Sequence, residues 1–194
     1  MEISLQNYEF GKESDLAGMP LTDSISDFVD KLPHELTSVL NKISLANGGV
    51  WLVGGAVRDA ALGIYPNDID IATDLEPARL LTIFPNAIET GIAFGTITIR
   101  SGEYHFQTTT LRSEENYSDN RRPNSVNWET SLKSDLERRD FTINAMAIDV
   151  ARRILYDPHN GLIDLDNKII RCVALGYHSI LYWYDISRIT HRAI

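Results

Sequence analysis

Val50-Trp51-Leu52-Val53-Gly54-Gly55-Ala56-Val57-Arg58-Asp59, followed shortly by Asp68-Ile69-Asp70, is the stretch that decides the fold. Four apolar, partly β-branched residues predict a buried strand. Gly54-Gly55 predicts a tight turn, and Ala56 to Leu62 predicts a short helix closed by Gly63. Asp68 to Thr73 predicts a second strand. Strand residues two apart share a face, so Asp68 and Asp70 are expected to converge while Ile69 faces the core. Paired carboxylates on a rigid strand can hold Mg²⁺, an ion that takes oxygen ligands and keeps phosphate oxygens in its shell. The double glycine lets backbone approach a phosphate, the following helix start offers free N–H groups, and Arg58 adds a planar fork. The plain alternatives are a solvated strand end for the acids and an unliganded tight turn for the glycines. Each motif alone is common. Their order and spacing together are far more specific.

Outward from this stretch, Thr22-Asp23-Ser24 predicts a helix cap ahead of Ile25, Phe28, Val29 and Leu32 at helical spacing. Pro33 is expected in the first turn of a second helix carrying Leu36, Val39, Leu40, Ile43 and Leu45 at helical spacing, stopped by Asn47-Gly48-Gly49. Residues 1–20 read as a loose lead-in. Downstream, Glu76-Pro77 opens a helix ended by Pro85. Thr96 to Ile99 and Tyr104 to Leu111 alternate as a hairpin about Ser101-Gly102. Residues 113–127 are almost all polar and predict a long mobile loop. A helix is expected over 130–138, then a tightly packed apolar stretch from Phe141 to Ile148. Short strands are expected at Ile154 to Tyr156 and Lys168 to Arg171, and a last helix over 179–194. These elements predict an α+β fold with a mixed, mainly antiparallel sheet flanked by helices. The division expected is scaffold helices in 1–47, a head domain in 48–175, and the start of a helical neck in 176–194.

The 194 residues suffice for one good core, and 43% hydrophobic with 23% charged residues is an ordinary globular balance. No apolar run nears the ~20 residues of a membrane span. Met1-Glu2-Ile3-Ser4 lacks the basic and apolar regions of a secretory signal, so the cytoplasm is the expected compartment, with no membrane partner. Cys172 is the single cysteine, which excludes a disulfide framework or a Cys-based zinc site. The net charge of −9 counts against an extensive nucleic-acid surface, because phosphate contacts need Lys and Arg. A metal site concentrates acids, however, and an RNA-binding region can lie outside this chain.

Leu52 to Asp59 with Asp68-Ile69-Asp70 resembles the signature of class II tRNA nucleotidyltransferases and bacterial poly(A) polymerases, within the polymerase-beta-like superfamily. Further stretches are similar in the same order: Thr90 to Thr96, Thr109-Thr110-Leu111-Arg112, Tyr117 to Pro123, Arg138 to Ala147, and Asp157-Pro158 with Gly161 to Leu165. The resemblance spans roughly residues 48–175. It implies a polymerase-beta-like head with Asp68 and Asp70 as catalytic Mg²⁺ ligands, and Gly54, Gly55 and Arg58 on the triphosphate. It places Arg112 near the nucleotide or the loop hinge. Arg139, Asp140 and Asn144 would contact nucleotide sugar and phosphates or orient the site. From the residues alone, Arg138-Arg139-Asp140 equally fits a basic pair and a turn acid at a helix end.

Family members choose CTP or ATP with a Glu-Asp-x-x-Arg pattern on the neck helix. An Asp accepts from the exocyclic amino group of C or A, and an Arg donates to the ring nitrogen. Tyr184-Asp185-Ile186-Ser187-Arg188 resembles that pattern in Asp185 and Arg188, although Tyr184 replaces the first acid and His191 a following Arg. A solvated ion pair three residues apart is the alternative. Two further departures stand out. Gln107 occupies a position where relatives usually carry a supplementary Glu, which predicts weaker metal binding. Phe94 stands where many carry His, a change expected to be local packing.

The activity implied is Mg²⁺-dependent addition of C and A nucleotides from CTP and ATP to tRNA 3′ ends. CC-adding, A-adding or poly(A)-adding activity is the alternative, as is a truncated nucleotide-binding head with little activity. Relatives continue into neck, body and tail domains that grip tRNA. With Ile194 six residues past Arg188, a homo-oligomer or a separate partner supplying RNA-binding domains is the corresponding expectation.

Overall fold

The computed structural model describes residues 10–114, 126–128 and 131–173. Chain order begins with β1 (Met19–Pro20), α1 (Asp23–Asp30), α2 (His34–Leu45), β2 (Val50–Val53), α3 (Gly55–Ala61) and β3 (Asp70–Thr73). It continues through α4 (Pro77–Ile83), β4 (Ile88–Gly91), β5 (Thr96–Ser101), β6 (Tyr104–Thr110), β7 (Arg112–Glu114) and β8 (Val126–Trp128). The last elements are α5 (Leu132–Glu137), β9 (Ala147–Asp149), β10 (Ile154–Tyr156) and α6 (Gly161–Asp166). The fold is α+β, as the sequence predicts.

Eight strands form one sheet in the order β1-β10-β9-β2-β3-β6-β5-β4. Every named pair is antiparallel except β3 with β6, which run parallel with Asp70 opposite Gln107. A parallel neighbour needs a crossover connection, and α4, β4 and β5 supply it. One face of the sheet, with Leu52, Ile71, Ile97, Ile99 and Ile148, packs against Ile25, Leu36, Leu40, Val57 and Leu80 from α1 to α4. The other face is covered only in part. Trp51, Val53, Ala72, Ala147 and Tyr156 meet Leu132 and Leu136 of α5. On that face the β5–β6 half carries Thr98, Arg100, His105 and Gln107, which are exposed or half-buried.

Local chemistry explains the boundaries. The Thr22 side chain caps α1 by accepting from the Ile25 N–H at 3.4 Å. Pro33 sits one residue before α2, at its cap position, rather than inside the first turn. The hairpin turn falls one residue later than expected, because Gly102, at φ 61°, takes the left-handed position.

Several expectations need correction. β3 begins at Asp70, so Asp68 lies in a bend ahead of it. The ladder with β2 starts at Val53 opposite Asp70, and the chain turns away at Gly54, leaving Asp68 no strand to pair with. Lys168 to Arg171 is not a strand; these residues are mostly exposed, and only Cys172 bridges, to Phe141. The polar stretch 113–127 is not loop throughout, because both of its ends pair as β7 and β8. The short edge strands β1 and β4 had no periodic signal. No helix among the described residues is long and apolar enough to cross a membrane.

Candidate active site

Three sequence-distant residues meet at the C-terminal end of β2. Gly54 has φ 72° and ψ −137°, a conformation that side chains strongly disfavour. A Cβ on Gly54 would stand 3.1 Å from Arg139 Nη1 and 3.9 Å from Asp70 Oδ2. A glycine is therefore required twice over, for the turn and for the close approach of a cation and a carboxylate. Gly55 follows, and a Cβ there would lie 3.4 Å from Arg58 Nη2. The first N–H groups of a helix have no intrahelical acceptor, so the turn presents donors beside two guanidinium groups.

Arg58 is more enclosed than a surface hook. Its Nε and Nη2 donate to Asp59 Oδ1 at 3.0 and 2.7 Å, and its Nη1 donates to Asn144 Oδ1 at 2.8 Å. Asn144 Nδ2 donates in turn to Asp140 Oδ1 at 3.3 Å, and that oxygen also accepts from the Phe141 N–H at 2.7 Å. Arg58, Asn144 and Asp140 thus form one connected network. Arg139 reaches the same place through Nη1, which donates to the Asn144 carbonyl at 3.4 Å.

The residues behind this network were given no role in the sequence reading, although Asp157, Gly161 and Asp164 lie in one of the family-like stretches. Asp135 is 2% exposed and accepts from both Arg138 and Arg139. Its spacing of three and four residues from those arginines, just past the end of α5, was the available signal. Asp164, also buried, accepts from Thr142 Oγ1 at 2.7 Å and from Arg171. Those hydrogen bonds, Arg171 first, hold its carboxyl below the usual aspartate range. Asp157 accepts from the Gly161 and Leu162 N–H groups at the start of α6. A Cβ on Gly161 would lie 2.4 Å from the Thr142 carbonyl, so α6 presses directly on the short 3₁₀ turn Thr142–Asn144.

Asp68 and Asp70 line one open cleft together with Gln107. Asp70 keeps an open side to solvent, yet its pKa is raised. Partial burial is the main cause; Arg139 lowers it and Asp68 raises it again. The charged Asp70 carboxylate is disfavoured by burial and by the neighbouring Asp68, with only one partial cationic offset, and a dication would relieve it. The donor set therefore fits Mg²⁺, held by Asp68 and Asp70. Among the described residues no group of three His, Cys, Asp or Glu side chains gathers for a metal, consistent with glutamine at 107.

Arg112 opens β7, at the base of the polar stretch. Its Nη1 donates to the Phe94 carbonyl at 2.6 Å, and its guanidinium carbon lies 5.9 Å from the Phe94 ring centroid. Phe94 is 46% exposed, so its role is this contact with Arg112 and not core packing. Asp185 and Arg188 lie outside the described residues.

The fold is that of a polymerase-beta-like head domain. The chain belongs to the poly(A) polymerase head-domain family, which it matches over residues 50–171. It is 41% identical over 157 residues to the CCA-adding enzyme of Streptococcus suis (strain 05ZYH33), covering 81% of this chain and 38% of that protein. The crystal structure of the Bacillus stearothermophilus CCA-adding enzyme in complex with CTP superposes with a TM-score of 0.67 at 29% identity. That match covers 82% of this chain and 36% of the other. The Thermotoga maritima CCA-adding enzyme complexed with tRNA gives a TM-score of 0.59 at 26% identity, covering 77% and 36%. The chain thus spans well under half the length of these relatives.

Proposed function

We propose that the chain is the catalytic head of an Mg²⁺-dependent enzyme adding C and A nucleotides from CTP and ATP to tRNA 3′ ends. The observation that carries this reading is the meeting of Gly54, Asp70 and Arg139 at one strand end. In the reaction, the RNA 3′-oxygen bonds to the α-phosphorus of the incoming nucleotide. The bond from that phosphorus to the bridging oxygen breaks, pyrophosphate leaves with the electron pair, and the 3′-hydroxyl proton passes to solvent. Mg²⁺ on Asp68 and Asp70 would lower the pKa of the attacking hydroxyl and stabilise the leaving pyrophosphate.

The protein's own residues perform the rest. Gly54 and Gly55 keep the backbone clear for the triphosphate, and Arg58 and Arg139 supply positive charge along its oxygens. Asn144 and Asp140 fix the Arg58 guanidinium, and through it the nucleotide. Arg112 anchors the base of the 113–127 segment, while Asp185 and Arg188 read the base of CTP or ATP. The surface that grips tRNA lies beyond the head, on the same polypeptide, on a second copy or on a separate partner. A tRNA-maturing role belongs in the cytoplasm.

The test is incorporation of labelled CTP or ATP into tRNA lacking its 3′ CCA, with Mg²⁺ and high enzyme concentration. Asp68→Ala with Asp70→Ala should abolish it, and surviving incorporation would sink the metal assignment. Gln107 favours a second reading, a nucleotide-binding head of low activity. Thermal protection by CTP without incorporation would select that reading.

A further inference from the structure

The sequence reads as a loose lead-in up to residue 20, yet residues 10–20 are held against the sheet from end to end. Arg152 Nη2 donates to the Gly11 carbonyl at 2.7 Å, and its guanidinium carbon lies 5.3 Å from the Phe10 ring centroid. Lys12 Nζ lies 3.1 Å from Asp74 Oδ2, and the other oxygen of that buried carboxylate accepts from the Gly49 N–H at 2.7 Å. Met19–Pro20 closes the segment as β1, paired with β10. The two glycines of the segment have no room for a side chain. A Cβ on Gly11 would lie 2.1 Å from the Gly48 carbonyl oxygen, and one on Gly18 would lie 2.1 Å from Ile154 Cγ2.

Between these anchors the segment meets α5. Leu16 packs on the cluster that joins Leu132 and Leu136 to Trp51 and Tyr156. Next to it, Asp15 Oδ2 accepts from the Ser131 hydroxyl at 2.8 Å. Ser131 is the N-cap of α5, and its side-chain oxygen accepts from the Ser134 N–H at 3.3 Å. A hydroxyl has one proton and two lone pairs, so a carboxylate that takes the proton leaves a lone pair turned to the helix. The six residues of α5 are too few for a helix to persist alone, and its place depends on such contacts. What α5 carries is Asp135, which accepts from Arg139 Nη2 at 3.0 Å, and Arg139 is the guanidinium that stands beside Gly54.

We propose that Asp15 is a positioning residue for the incoming nucleotide. Through the Ser131 cap it sets α5, and with α5 the Asp135–Arg139 pair at the glycine turn. The inference rests on the transferase reading above, in which Arg139 lies along the triphosphate. It gives the segment before the first helix a part in nucleotide affinity as well as in covering the sheet.

The test uses the full chain with labelled CTP, read by equilibrium binding and by steady-state incorporation. Asp15→Ala should weaken CTP binding and raise its KM about fivefold, the scale of one hydrogen bond. The kcat should hold, because Arg139 meets the triphosphate before and during the reaction alike. Asp15→Asn keeps an oxygen that accepts from the hydroxyl and should restore binding to within about twofold of wild type. Ser131→Ala should match Asp15→Ala, and the double variant should lose no more than either, because the two residues form one contact. A lower Tm with unchanged CTP affinity in Asp15→Ala overturns the inference and leaves the transferase reading intact. An equal loss in Asp15→Asn assigns the effect to charge alone and also overturns it. A wild-type chain that neither binds CTP nor incorporates it overturns both.

Discussion

Asp70 and Gln107 stand directly opposite each other on β3 and β6, the parallel pair of the sheet, with their side chains on one face. A glutamine amide offers a metal only a neutral carbonyl oxygen, where a carboxylate offers charge. Gln107→Glu should therefore lower the Mg²⁺ concentration for half-maximal activity by about tenfold, the scale on which partners tune metal sites. An Mg²⁺ titration of incorporation checks this; an unchanged midpoint would show that position 107 does not reach the metal.

Asp70 is predicted to cost stability in the metal-free protein. Its folded pKa is raised, mainly by burial, so the folded state holds the proton more tightly than the unfolded state does. Stability then falls as pH rises from the ordinary aspartate range through that raised value. Asp70→Asn should accordingly melt higher than wild type at neutral pH without metal, while losing activity. The gain should vanish below about pH 3, where the unfolded aspartate is also protonated. Added Mg²⁺ should raise the Tm of wild type and leave Asp70→Asn unmoved. Thermal melts across pH decide the matter, and an equal or lower Tm for the variant at neutral pH would count against it.

Asn144 joins Arg58 to Asp140 through both ends of its amide. Asn144→Ala should lower kcat/KM for CTP on the order of 100-fold, the usual cost of misplacing a positioning group. Arg58→Lys should lose a similar factor, and the double variant little more, because the two side chains act as one unit. Additive losses in this cycle would show that Arg58 works independently of Asn144.

Asp135 is buried beneath two arginines whose side chains are about one-fifth exposed, at 23% and 21%. Removing one partner of a buried ion pair typically costs about 3–5 kcal/mol. Asp135→Asn should lose stability of that order in urea unfolding. Release of Arg139 should also weaken CTP binding in the fraction that remains folded. Loss of stability with unchanged CTP affinity would confine Asp135 to a structural role.

The candidate site was legible where chemistry and local sequence coincide. Gly54-Gly55, Arg58, Asp68 and Asp70 sit within one short stretch, and their order alone indicated phosphate and metal. The fold class followed from the alternating hairpin and the capped helices, since Thr22 and Gly102 carry local signals. The rest depends on tertiary pairing. Nothing in Ile88 to Gly91 or Met19-Pro20 marks a strand until the sheet edge is there to receive it. Lys168 to Arg171 has a strand's composition but no neighbour with which to pair. Asp135 and Asp164 carry no local signal of burial, and only their place beneath Arg138, Arg139 and Arg171 gives them their roles. The burial of Arg58 against Asp59 and Asn144 was likewise invisible, because Asn144 lies 86 residues further along the chain.

The crossover between β3 and β6 has a kinetic meaning. Parallel partners pay their loop-closure entropy before any contact between them forms, and such non-local pairing is slow. Helices α1 and α2 and the β5–β6 hairpin depend mainly on near neighbours and can form early. The carboxylate at 70 meets its partner at 107 only when the crossover docks, and the still longer closure that brings Asn144 to Arg58 must follow, so the candidate site is completed after the local elements form. A refolding chain would regain its helical signal before it regains its affinity for ligand.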